Sequence, residues 1–178
     1  EDGRIKEVGR GLNYPDKAEV INCEEKYVLP GFMDMHVHLG GSDDPDAPIP
    51  IRGAKQTNYY ESALKDFLNH GVTSIRSAGD YINDLINVRN EINKGDRVGP
   101  RIFVPGRIFQ APLGHPGYTV WGSLEDTITN AITATDNPDE AKEEVRNAVL
   151  AGGDHIKVYL TDDDLVNYPA KIAKLSTE

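Results

Sequence analysis

The chain has 178 residues, 38% hydrophobic and 27% charged, a balance that suits a soluble globular protein with one substantial core. Its formal net charge of −10 is spread along the sequence, which argues against a nucleic acid or an anionic membrane as partner, since both need a basic face. No apolar run approaches the roughly 18 residues that span a bilayer, no signal-peptide pattern opens the chain, and the lone Cys23 excludes an intrachain disulfide and fits a reducing, cytoplasmic compartment.

Residues 1–28 read as short strands and turns: Asp2-Gly3 as a hairpin signal, then Arg4 to Gly9, a turn around Asn13 to Asp16, and Glu19 to Asn22. These pieces are too few for a sheet that is stable alone, and they predict part of a small β-domain. The chain opens on Glu1-Asp2-Gly3 in what reads as mid-strand and without Met, so an earlier N-terminus is expected.

From residue 29 the pattern becomes strand, loop, helix, repeated. The first strand is expected over Gly31–Leu39. The next helix carries Tyr60, Ala63, Leu64, Phe67 and Leu68 on one face and stops at Gly71. A strand over Val72–Ser77 follows, then a helix marked by Ile82, Leu85, Ile86 and Ile92 that ends at Gly95. A third strand, Arg101–Val104, leads into a long loop rich in Gly and Pro, with a helix expected near Leu124–Thr133. Asn137, Pro138 and Glu140 are a helix start, with Asn137 as N-cap. That helix ends at Gly152-Gly153, and the fourth strand is Asp154–Leu160. Alternation of this kind predicts an α/β fold with parallel strands, as an open sheet or a closed barrel.

The chemistry-bearing residues sit at strand ends. Strand alternation places His36 and His38 on one face of the first strand, about 6.5–7 Å apart along the backbone, close enough to share one Zn²⁺ at about 2.0–2.1 Å each. Two surface histidines at this spacing also arise by chance, but these lie where an apolar strand meets Gly40-Gly41, the end of a parallel strand at which α/β enzymes place their chemistry. In the fourth strand Ile156, Val158 and Leu160 take one face and His155, Lys157 and Tyr159 the other. A mid-strand lysine needs a partner or loses its charge. It is an ion pair to a carboxylate such as Asp34, an edge-strand residue, or an amine that reacts with CO₂ to give an anionic, metal-bridging carbamate.

Four segments together resemble one family. Val28 to Leu39 (VLPGFMDMHVHL), Gly71 to Arg76 (GVTSIR), Gly99 to Ile102 (GPRI) and Gly153 to Val158 (GDHIKV) are similar, in order, to strands of the amidohydrolase superfamily. The likeness is to its imidazolonepropionase-like branch, which includes Xaa-Pro dipeptidase (prolidase) types. It implies the first half of a metallo-dependent hydrolase (β/α)₈ TIM barrel over residues 29–178, preceded by a β-sandwich remnant over 1–28. It implies hydrolysis of a C–N bond in an amide, peptide or cyclic amide by metal-activated water, with one or two divalent ions, most simply Zn²⁺. His36, His38 and a carboxylated Lys157 would be metal ligands, and His115 would touch the substrate unless it is a loop histidine bonded to backbone. From strand placement, Arg76 reads as a partner for a substrate carboxylate or a structural ion pair, Tyr159 as a substrate-site residue and Asp34 as support for the ligands. A barrel of this type runs to about 250 residues, so the remaining ligands, the general-base Asp and the C-terminal half of the barrel are expected beyond residue 178. An open barrel edge also favours pairing, hence a possible homo-oligomer.

The chain departs from the family at Ser77, where an Asp often follows the second-strand Arg, and at Thr161-Asp162-Asp163-Asp164, where a Gly-rich turn is usual. Two other readings stand beside the main one. One is a non-catalytic metal-binding or assembly fragment. The other is a dihydroorotase-like hydrolase, ranked lower because Gly40, Gly41 and Ser42 stand where that group carries an Arg.

Overall fold

The computed structural model describes residues 3–39, 59–80, 82–117, 131–160 and 175. The chain divides into two units, Glu1–Pro30 and Gly31–Glu178.

In the first unit the described residues form turns and no strand. Ala18 N–H donates to the Pro15 carbonyl (2.8 Å) and Lys26 N–H to that of Cys23 (3.0 Å). Ile5, Val8, Val20 and Ile21 are exposed. The strands expected over Arg4–Gly9 and Glu19–Asn22 do not form here, because an extended segment needs a neighbour to satisfy its backbone and cover its apolar face. The β-sandwich remnant therefore has no ladder among the described residues.

The second unit runs β1 (Phe32–Val37), α1 (Tyr59–Asn69), β2 (Val72–Ser77), α2 (Ile82–Lys94), β3 (Arg101–Phe103), β4 (Pro105–Gln110), β5 (Ile132–Ala134), α3 (Pro138–Leu150) and β6 (His155–Val158). All ladders are parallel: β1-β2-β3 in one sheet and β5-β4-β6 in the other. β3 and β4 are one strand interrupted at Val104, whose carbonyl accepts from Asp154 N–H at 2.7 Å. The third strand thus runs on to Gln110, beyond the expected end at Val104. Pro105 lacks an N–H for the ladder, and Gly106 lets α3 approach, since a Cβ there would lie 2.3 Å from that of Ala148. The helix expected near Leu124–Thr133 falls mostly outside the described residues, and its last two, Ile132 and Thr133, open β5 instead.

The main core lies on the helix side of the first sheet: Val37, Leu39, Tyr60, Leu64, Ile75, Leu85, Val88, Ile102 and Val104, with Ala63, Phe67 and Ile92 packed against it. The apolar faces of α1 and α2 read from helical periodicity are the faces buried here. Met33 and Met35, which strand alternation puts on the same face as the buried Val37 and Leu39, are 66% and 49% exposed. β1 has one ladder neighbour among the described residues, and its register with β2 shifts between Phe32 and Met33 and again between Asp34 and Val37. Among the described residues no helix is long and apolar enough to cross a membrane.

α3 begins as its sequence demands. Asn137 Oδ1 accepts from Asp139 N–H (3.0 Å) and Glu140 N–H (3.4 Å), and Pro138 takes the first turn. Glu140 closes the box through a relay: it accepts from Thr135 Oγ (2.6 Å), which in turn accepts from Asn137 N–H (3.0 Å). The helix ends at Gly152, whose φ of 97° suits glycine alone.

Asp154 ties three elements. Its Oδ2 accepts from Arg89 Nη1 of α2 (2.7 Å) and from Val104 N–H (2.9 Å), while the same Nη1 reaches the Gly152 carbonyl (2.7 Å). With the Arg89 side chain only 12% exposed, Asp154→Ala strands two donors and should cost roughly 1–3 kcal/mol. Thermal melting of the complete protein checks this. Asp154→Asn, which keeps an acceptor for Val104, should lose less; equal midpoints for all three proteins would show that the clamp contributes nothing.

Candidate metal and substrate site

The site is assembled where β1, β2, β4 and β6 end. His36 closes the regular part of β1 and His38 follows it. Their ring centres are 5.5 Å apart and the rings are tilted by 59°. Two imidazoles on one tetrahedral ion at about 2.0–2.1 Å have centres roughly 5 Å apart, a spacing close to that of this pair.

His38 is oriented from behind. Its Nδ1 lies 2.7 Å from the Gly79 carbonyl, and because a carbonyl only accepts, Nδ1 carries the proton. In the neutral ring Nε2 then keeps its lone pair, the form a metal ligand requires. Gly79 belongs to a buried turn after β2, in which Ser77 Oγ donates to Asp80 Oδ2 (2.5 Å) and accepts from Gly79 N–H (3.2 Å). Asp80 Oδ1 accepts from Leu39 N–H (2.8 Å), and Ala78 N–H donates to the Val37 carbonyl (2.8 Å). Asp34, read as support for the ligands, turns along its own strand and accepts from His36 N–H at 3.1 Å.

Lys157 of β6 is half-buried and holds its ammonium 4.5 Å from the centre of the Tyr159 ring. Among the described residues no ion pair joins it to Asp34, so that alternative does not describe this arrangement. The Tyr159 ring meets His115 edge-on, with centres 4.9 Å apart. His115 stands on the loop after β4, which Gln110 clamps from within. Gln110 Oε1 accepts from Gly117 N–H (2.7 Å), and Nε2 donates to the carbonyl of Gly114 (3.1 Å). Arg76 of β2 donates from Nε to the Met35 carbonyl (2.9 Å), which fixes it beside the histidines.

The charges agree with one cluster. The His36 pKa is lowered, first by desolvation and then by Lys157, His38 and Arg76, with Asp34 opposing. Lys157 is lowered by desolvation and then by Arg76, and His115 by desolvation and then by Lys157. Burial raises Tyr159. Each shift favours a neutral group, and neutral nitrogen is what a metal or CO₂ needs. The six residues singled out in the sequence, His36, His38, Arg76, His115, Lys157 and Tyr159, are therefore linked by contact or by field.

Among the described residues no three His, Cys, Asp or Glu side chains converge on one metal position. Asp80 and Gln110 were not picked out in the sequence. A buried Asp just past a strand of this type is the one signal that was available for Asp80; a satisfied buried Gln leaves none.

Comparison with known proteins places this geometry. Local sequence matches include the dihydroorotase of Geotalea daltonii, 60% identical over 37 residues, which are 21% of this chain and 9% of that protein. The imidazolonepropionase of Vibrio cholerae is 36% identical over 55 residues, 30% of this chain and 14% of that protein. A prolidase solved in complex with N-methylphosphonate-L-proline superposes with a TM-score of 0.66 at 27% identity, covering 84% of this chain and 37% of its own. A Xaa-Pro dipeptidase with bound methionine in the active site gives 0.59 at 28% identity, covering 81% and 38%. The chain thus spans less than half of these solved relatives, and its parallel β/α units correspond to part of an amidohydrolase TIM barrel, as in another amidohydrolase matched at a TM-score of 0.70. A family model for the amidohydrolases matches residues 27–170, nearly all of the β/α unit and every residue of the cluster, and the chain belongs to that family.

Proposed function

We propose that this chain carries the first part of a metal-dependent hydrolase of C–N bonds, acting on a small peptide-like substrate. The observation that carries the reading is the His38 ring, its Nδ1 bonded to the Gly79 carbonyl and its centre 5.5 Å from that of His36, whose field includes Lys157. His36 and His38 would hold a divalent ion, Zn²⁺ by ligand type, and a carboxylated Lys157 would hold a second. The chemistry such an ion supplies is acidification of water and polarisation of the scissile carbonyl.

The chain's own residues do the rest of what is assigned here. Tyr159 presents an aromatic face and a phenol kept protonated by burial, suited to packing against and donating to a small amide. His115, kept neutral beside it, can donate or accept at the substrate. Arg76 supplies the positive charge that a substrate carboxylate would pair with. The acid–base carboxylate of the reaction is not assigned to any residue of this chain.

Structural likeness over four-fifths of the chain favours Xaa-Pro dipeptides as substrates. The short, high-identity matches favour dihydroorotate, a cyclic amide, as a second reading. Assay of the complete, Zn²⁺-loaded protein on both decides: hydrolysis of Xaa-Pro dipeptides is expected. Turnover of dihydroorotate alone would transfer the assignment to the second reading, and inactivity on both would overturn both.

A further inference from the structure

We infer that Asp80 is a positioning residue for His38: its carboxylate, through Ser77 and the turn at Gly79, sets the tautomer in which His38 can bind a metal. The inference rests on the reading of His38 as a ligand, and it adds a residue outside the family strand motifs.

Asp80 and Ser77 are 6% and 0% exposed, deep for a carboxylate and a hydroxyl. Among its contacts with described residues, the carboxylate makes two hydrogen bonds that bear on His38. Oδ1 holds the amide of Leu39, the residue next to His38, and Oδ2 holds the Ser77 hydroxyl. Since that hydroxyl donates to Asp80, its lone pairs remain to accept the Gly79 N–H. Gly79 is thereby held at its N–H, and its carbonyl, in the next peptide, which runs into Asp80 itself, lies 2.7 Å from His38 Nδ1. One carboxylate thus fixes both partners of the His38 hydrogen bond, the backbone beneath the ring and the carbonyl behind it.

Gly79 allows no slack in this arrangement. Its φ is 136°, a conformation side chains resist, and a Cβ would stand 2.3 Å from Ile108 Cδ1, which is itself 1% exposed. The turn is therefore held by packing on one side and by Asp80 on the other. Ser77 stands where the family often carries an acid, and here the acid comes three residues later, with the serine acting as its relay. An outer residue that fixes a ligand histidine costs about 10–100-fold in metal affinity when removed.

The test uses the complete protein in metal-free form. Zn²⁺ affinity is measured by chelator competition, and the tautomer by ¹⁵N NMR of the histidine side chains, for wild type, Asp80→Asn, Asp80→Ala, Ser77→Ala and His38→Ala. Wild type should show one tautomer at His38, protonated on Nδ1. Asp80→Ala should mix the tautomers and weaken Zn²⁺ binding by about 10–100-fold, with Asp80→Asn and Ser77→Ala between it and wild type. Should Asp80→Ala not fold, the two milder variants carry the test. Lower melting temperatures with tautomer and affinity unchanged would overturn the inference and leave Asp80 a structural residue. Undiminished Zn²⁺ binding by His38→Ala would instead overturn His38 as a ligand, while the tautomer measurement still decides what Asp80 does.

Discussion

Replacing His36 and His38 together by alanine is expected to bring the metal content of the complete protein to background and to abolish amide hydrolysis. The loss should exceed the roughly 10–100-fold that outer-shell changes produce, because it removes nitrogen donors themselves. Neither ring belongs to the hydrophobic core, and both side chains are exposed, so the melting temperature of the metal-free protein should stay within about 0.5 kcal/mol of stability of wild type. Elemental analysis and thermal melting of the same preparations separate the two effects. Metal retained at full stoichiometry by the double variant would remove the central assignment. The single variants are informative in a different way. His38 has its Nδ1 proton held by Gly79, whereas His36 has a pKa lowered by desolvation and by neighbouring cations. His38→Ala therefore removes a preoriented donor, and His36→Ala one that is merely neutral, which predicts the greater loss of affinity for His38→Ala.

Much of this site was legible in the sequence because strand periodicity is short and local. His36 and His38 follow from alternation at a strand end, and His155, Lys157 and Tyr159 from alternation in another. The helical faces of Tyr60, Leu64 and Phe67 and of Leu85 and Ile92 follow from the 3.6-residue period, and the core uses them. Family resemblance supplied roles that periodicity could not. What stayed hidden depends on contacts between distant segments. The third strand runs past Val104 because Asp154 bonds that residue on both its N–H and its carbonyl, from fifty positions away in sequence. Met33 and Met35 are exposed while Val37 and Leu39 are buried, and β1 shifts register with β2 twice along that stretch, a property of the pair that β1 alone does not encode. Arg4–Gly9 has strand composition but no partner among the described residues. Asp80 looked like a loop carboxylate, and only the approach of Leu39 and Ser77 gives it a task.

Lys157→Met should be the most damaging single change after the histidines, and it tests the lysine rather than its bulk. Methionine keeps an apolar stem to lie against Tyr159 and loses the amine. In the proposed state the neutral amine attacks CO₂, a C–N bond forms, one proton leaves to solvent, and the lysine ends as a carbamate with one negative charge. That chemistry needs an uncharged amine. Desolvation and the Arg76 charge both lower the Lys157 pKa, so at a given pH more of it is neutral than for a lysine in water. The direction of the pH effect follows: carboxylation should speed as pH rises toward the folded pKa and level off above it. The expected results are loss of turnover in Lys157→Met, loss of the second ion where two are bound, and a mass increment of one CO₂ on wild type that disappears in acid. Lys157→Ala supplied with a short-chain carboxylate should recover part of the activity, because the added acid can occupy the space of the carbamate. An unmodified amine in the active, metal-loaded protein would end the bridging role. The ammonium would then keep the place it has here, over the face of Tyr159 as a cation–π partner, and the site would hold one ion on His36 and His38.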